Sequence, residues 1–141
     1  GNSPTDTVIL GQARLRELYY AILKGEAGAF ARRAFSAGNA MARVIAHLSD
    51  HLDAPVSIDD LAARAGMSRA AFHRRFKQAT GLSPLEYIQN IRIEYAKKQL
   101  ENTQKNIQTI SEEINYTDGS YFRRLFKRKT GMTAQNYRKR F

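Results

Sequence analysis

The chain has 141 residues, enough for one domain or two small ones, and 43% apolar content is ordinary for a folded soluble domain. The net charge of +10 and the pI near 10.2 are not ordinary, and they imply a polyanionic partner, either nucleic acid or an anionic membrane surface. The absence of cysteine excludes disulfides and thiolate metal sites, no apolar run approaches the roughly 20 residues of a membrane span, and no signal peptide is visible.

The chain does not begin with Met, and Gly1-Asn2-Ser3 reads as a tag remnant, so a fragment of a longer cytoplasmic protein is expected. Residues 11–24 place Leu15, Leu18, Tyr19, Ile22 and Leu23 at helical spacing, which predicts a helix ending near Gly25. Residues 25–38 are rich in glycine and alanine, and the segment from Ser36 to Gly38 reads as a linker. Residues 40–52 align Met41, Val44, Ile45, Leu48 and Leu52 as the single buried stripe of a helix.

Ser57 and Asp60 form a capping box that opens a short helix over 58–65, with Ile58, Leu61, Ala62 and Ala65 inward. Gly66 then provides a left-handed stop. Ser68 caps a helix over 69–79 that buries Phe72 and Phe76 and stops at Gly81. Ser83, Pro84 and Glu86 mark the start of a long helix over 84–101, which carries Leu85, Ile88, Ile91, Tyr95 and Leu100 and has zero formal charge. Asn106 caps a short helix over 107–114 with Ile107, Ile110 and Ile114 inward, and Asn115-Tyr116-Thr117 makes a turn. Asp118 caps a helix over 119–129 that buries Phe122 and Phe126. Gly131 ends it, Thr133 caps again, and a last short helix carries Tyr137.

This order contains a repeat. Phe72/Phe122, Phe76/Phe126, Thr80/Thr130, Gly81/Gly131, Ser83/Thr133 and Tyr87/Tyr137 all share an offset of 126 − 76 = 50 residues. Leu61 precedes Phe72 by 11 residues and Ile110 precedes Phe122 by 12, so the second unit's turn is one residue longer. A supersecondary unit is thus used twice, as a short helix, a tight turn and a second helix, which is the helix-turn-helix plan.

Charge follows the repeat. Residues 68–80 carry Arg69, Arg74, Arg75 and Lys77 without an acid, and 118–130 carry Arg123, Arg124, Lys127, Arg128 and Lys129 against Asp118. The short helix before each is acidic, through Asp59 and Asp60 and through Glu112 and Glu113. A solvated surface mixes its signs, so the polyanion is expected to meet these two helices.

In the helix-turn-helix plan the second helix enters the major groove and its N-terminal residues reach base edges. With the phenylalanines inward, Ala70, His73, Arg74 and Lys77 share the outer face of the first such helix. Ser120, Arg123, Arg124 and Lys127 share that of the second. Base reading is therefore expected from Ala70, His73, Arg74, Ser120, Arg123 and Arg124, the arginines through paired bonds to guanine. Phosphate contact is expected from Arg69, Arg75, Lys77, Lys127 and Lys129. A connector of 18 residues spans about 27 Å, of the same order as the roughly 34 Å between successive major-groove segments on one face of B-DNA.

Other chemistry finds little support. His47 and His51 stand four apart without a third ligand, so no metal is expected. No phosphate loop, Ser-His-Asp set or paired carboxylates stand out, so neither an enzyme nor a cofactor is expected. Two rival readings are a sequence-indifferent nucleic-acid binder driven by charge and a protein-interaction module for an acidic partner.

Residues 40–141 resemble the DNA-binding domain of the AraC/XylS transcription regulators. The resembling segments are Ser57-Ile-Asp-Asp-Leu-Ala-Ala-Arg-Ala-Gly-Met-Ser68, Phe72 to Lys77, Thr80-Gly-Leu-Ser-Pro84 with Tyr87, Ile91-Arg92, Tyr121-Phe-Arg-Arg-Leu-Phe-Lys127, Gly131 and Tyr137-Arg138. The resemblance implies an all-α fold of seven helices, a tandem helix-turn-helix domain with the third and sixth as recognition helices, and it adds an N-terminal helical segment. It implies a DNA-binding domain over 39–141, with helix-turn-helix units at about 57–80 and 107–130 and a connector at 84–101. Residues 1–38 are then a remnant of the preceding effector or dimerisation domain plus linker. The implied partners are double-stranded DNA, then RNA polymerase, and a second copy through the preceding domain, with no membrane. Two departures are Asn115-Tyr116, where Gly-Phe is frequent, and Ala134, where proline is frequent. Asn tolerates the left-handed conformation, so the turn is expected to survive. Gly119 offers no side chain at the start of the second recognition helix, so the first unit is expected to carry more sequence information and the second to lean on phosphates.

Overall fold

The computed structural model describes residues 28–141, with side chains from Gly38 onward. The helix expected over 11–24 lies outside the described residues. Those residues form seven helices and no strand: α1 (Gly28–Asp50), α2 (Ile58–Arg64), α3 (Arg69–Thr80), α4 (Pro84–Asn102), α5 (Ile107–Glu113), α6 (Gly119–Thr130) and α7 (Ala134–Arg138). The all-α expectation holds, and the helix starts match the capping residues read from the sequence.

One local expectation fails. Helix α1 runs unbroken through Ser36-Ala37-Gly38, where a linker was expected. A helical glycine costs only about 1 kcal/mol relative to alanine, and the strong helix formers Ala34, Ala37 and Ala40 surround this one.

The described residues divide into two compact units. The first holds α1 up to His47 together with Ser57–Pro84, and its buried apolar residues are Ala40, Met41, Val44, Leu61, Ala62, Phe72 and Phe76. Both phenylalanines are fully buried, with ring centroids 5.6 Å apart. Ser57 accepts from the Asp60 amide at 3.2 Å and Ser68 from the Ala71 amide at 3.2 Å, so each cap satisfies an amide that its helix leaves open.

The second unit holds Leu48–Val56 and Leu85–Phe141. Its core joins Ile93, Ala96 and Leu100 of α4 to Ile110, Ile114, Phe122, Leu125, Phe126 and Ala134. Phe122 and Phe126 repeat the buried pair, at 5.9 Å. Leu125, absent from the expected core, is also buried. The Tyr137 hydroxyl donates to the Glu101 carboxylate, tying α7 to the end of α4. Burial first, then that carboxylate, pushes the Tyr137 phenol up to about 12.

Helix ends repeat almost atom for atom. Gly81 and Gly131 take φ of 80° and 84°, and their amides return to Lys77 and Lys127 carbonyls at 2.8 Å each. The Thr80 and Thr130 hydroxyls lie 2.9 and 2.8 Å from the Phe76 and Phe126 carbonyls and accept from the Leu82 and Met132 amides. The turns differ. Gly66 has φ 68° and Asn115 has φ 63°, so asparagine occupies the left-handed position as expected. Their bonds correspond at an offset of 49: Met67 amide to Ala62 carbonyl and Tyr116 amide to Ser111 carbonyl, both 2.9 Å. The helices after the turns correspond at 50, so the extra residue falls between Asn115 and Asp118. There Ser111, fully buried, donates its hydroxyl back to the Tyr116 carbonyl.

The connector's buried stripe differs from the apolar set expected. Leu85 is 62% exposed, and Ile91 and Tyr95 are only half-buried. Leu85 stands in the first turn of α4, ahead of Ile93, the earliest residue in the second unit's core cluster. Gln89 and Arg92 are buried instead. Arg92 donates to the Ala54 carbonyl at 2.8 Å and lies 5.0 Å from the Tyr116 ring centre, so one guanidinium ties the loop before α2 to the turn before α6. Its Nε is the single buried side-chain polar atom without a partner among the described residues. Burial pushes the Tyr116 phenol up while the Arg92 guanidinium pulls it back.

Three stability outcomes follow from these contacts. At Gly66 an added Cβ would meet nothing within 4 Å. Gly66→Ala is therefore expected to cost only the left-handed penalty of about 1–2 kcal/mol, read as a lower urea midpoint at unchanged m. Ser111→Ala leaves the part-buried Tyr116 carbonyl short of its donor and is expected to cost about 1–3 kcal/mol in the same titration. Arg92→Ala is expected to cost at least as much, since the Ala54 carbonyl and the Tyr116 face lose a charged partner together.

Candidate nucleic-acid interface

Burying Phe72 and Phe76 turns the opposite side of α3 outward. Ala70, His73, Arg74 and Lys77 are all exposed there. Arg75 is half-buried, at the flank, and its counterpart in the repeat, Leu125, is fully inside. Arg69, in the first turn, is exposed, and its Nη1 donates to Asp59 at 2.9 Å. The neighbouring carboxylate, Asp60, pairs with Arg64 at 3.0 Å. Such open ion pairs contribute about 0–1 kcal/mol each.

On α6 the same logic leaves Ser120, Arg123, Arg124 and Lys127 exposed opposite Phe122 and Phe126. Arg128 and Lys129 are exposed too, and Lys129 lines a shallow groove with Asn90, Ile93, Glu94, Lys97 and Thr130. Asp118 caps the helix by accepting from the Ser120 amide at 2.9 Å. The place left by Gly119 is filled from α5: the Gln108 Oε1 lies 2.5 Å from where a Cβ would stand. The Gln108 amide nitrogen donates to Glu112 at 3.1 Å and to the Thr117 carbonyl at 3.4 Å. Glu113 pairs with Lys105 at 2.8 Å. The acids of α5 are thus engaged locally, and the cations of α6 dominate its outer face.

Each helix therefore brings together the set expected on it: four outward residues, backed by a buried phenylalanine pair and flanked by further cations. Sequence reasoning missed the Asp59–Arg69 pair, Gln108 over Gly119 and the buried Arg92. A signal for Arg92 was present, since it falls between Ile88 and Ala96 at four-residue spacing.

Among the described residues no group of His, Asp or Glu comes together that could hold a metal ion, and no helix is long and apolar enough to cross a membrane.

Comparison with known proteins places these features in a family. The Helix-turn-helix domain family matches residues 61–140, more than half of the chain. The MmsAB operon regulatory protein of Pseudomonas aeruginosa is 32% identical over 95 residues, 67% of this chain and 31% of that protein. The chain spans about a third of the length of the curated relatives it matches. The crystal structure of the DNA-binding domain of the global transcriptional factor AdpA, in complex with a target DNA, superposes with a TM-score of 0.67 at 32% identity, covering 70% of this chain and 88% of that one. An AraC-type transcriptional regulator from Chromobacterium violaceum superposes with a TM-score of 0.66 at 26% identity, covering 71% and 89%. The chain belongs to the AraC/XylS family of helix-turn-helix DNA-binding transcription regulators, a family of regulators and not of enzymes.

Proposed function

We propose that this chain binds double-stranded DNA sequence-specifically, with α3 and α6 entering adjacent major-groove segments and residues 39–141 forming the DNA-binding part. The observation that carries this reading is the repeated outward face. Ala70, His73 and Arg74, then Ser120, Arg123 and Arg124, occupy corresponding exposed positions of two helices whose inner sides are filled by phenylalanine pairs. In this reading those six residues meet base edges, while Arg69, Arg75, Lys77, Lys127 and Lys129 meet phosphates. The AdpA domain, similar in fold, is held on a target DNA, which supports the same kind of partner here. Phosphate contacts dominate affinity and make it steeply salt-dependent. The half-site under α3 carries more sequence information than the one under α6, whose denser run of exposed cations leans harder on the phosphate backbone.

Selection from a random duplex library at moderate salt is expected to enrich a two-part motif, and a library that stays random would favour a sequence-indifferent binder. Arg74→Ala is expected to relax preference at one base pair by about 1–3 kcal/mol. Lys77→Ala is expected to weaken all duplexes alike and to lower the salt slope by about 1. Equal, uniform losses for both variants would remove Arg74 from the base-reading set.

A further inference from the structure

We propose that Asp59 is an electrostatic brake on the first unit: it holds Arg69 in an ion pair that a DNA phosphate must displace. The proposal rests on the reading above, in which Arg69 faces the phosphate backbone. Asp59 lies in the first turn of α2 and Arg69 in the first turn of α3, so the pair spans the start of the recognition helix. The side chains are 73% and 66% exposed, so water screens the bond and a phosphate can compete for the guanidinium. Asp60 is engaged by Arg64, and Asp59 is the carboxylate that takes Arg69.

The repeat supplies an internal comparison. Gln108 corresponds to Asp59 at the offset of 49 that relates the first helices, and Gly119 corresponds to Arg69 at the offset of 50 that relates the second. Both charges are missing together in the second unit, where a neutral carboxamide lies over a glycine instead. The carboxylate occurs where there is a cation to hold and is replaced by an amide where there is none. A contribution to folding alone would not need this correspondence, because the first turn of either short helix benefits from an acid. When Arg69 turns to a phosphate, the Asp59 carboxylate is left unpaired beside a polyanion. Binding through Arg69 therefore loses part of its gain, and the loss falls on every duplex alike because phosphates carry no sequence.

The test is a salt titration of duplex binding by the full chain, between about 50 and 200 mM, with the wild type, Asp59→Asn, and Asp59→Asn combined with Arg69→Ala. Asp59→Asn is expected to bind selected and random duplexes about three- to tenfold more tightly at low salt, with a salt slope steeper by about 1. Adding Arg69→Ala is expected to cancel both gains. Because the expected effect is a gain, a folding defect cannot imitate it. Unchanged affinity and slope in Asp59→Asn overturn the brake, and so does a double variant that keeps the gain, since the released group would then not be Arg69. Failure of the underlying reading looks different: wild-type binding would show no salt dependence and Lys77→Ala would have no effect.

Discussion

Two phenylalanines four residues apart decide how each recognition helix is presented. Helices α3 and α6 are rich in arginine and lysine, and neither holds together as an isolated helix of 12 residues in water. Burying Phe72 with Phe76, and Phe122 with Phe126, anchors one side of each helix and thereby fixes which residues face outward. The outward faces from which base reading and phosphate contact are proposed are consequences of that anchoring. A shift of one residue in either pair would rotate the outward face by about 100° and turn cations toward the core.

The helix stops make the anchoring reproducible. Gly81 and Gly131, each followed by the same threonine-centred bond pattern, end α3 and α6 at the same point relative to their phenylalanines. The turns at the other ends have diverged. In the first unit Gly66 takes the left-handed position without strain; in the second Asn115 takes it and one more residue follows. The longer turn carries extra fastening, from the Ser111 hydroxyl on the Tyr116 carbonyl and from the Arg92 guanidinium beside the Tyr116 ring. Both devices use polar groups inside the protein, where an unmade hydrogen bond is costly.

Divergence also separates the electrostatics of the units. The start of α3 carries an ion pair, and the start of α6 carries an amide over a glycine. The remaining cations of α6 are more numerous and more exposed than those of α3, where Arg75 lies partly inside. A shared backbone plan thus supports two surfaces of different character, as a duplicated unit can once its core positions are held.

The sequence by itself determined the helical class, the tandem repeat, the caps, the stops and the two outward faces. These depend on local rules: side-chain periodicity, the oxygen of a capping residue, and the ease with which glycine or asparagine takes positive φ. Only the tertiary structure decided which groups beyond those faces meet. Arg92 reads as a surface charge until Ala54 and Tyr116 are brought to it, and Leu85 reads as core although it stands 62% exposed. The unbroken α1 likewise reflects the summed propensities of a long helix, not the glycine at position 38. Arg69 counts as a free cation in the sequence, and its pairing with Asp59, ten residues away, depends on the angle that the turn sets between α2 and α3. Contacts between elements depend on those angles, and one-dimensional spacing does not contain them.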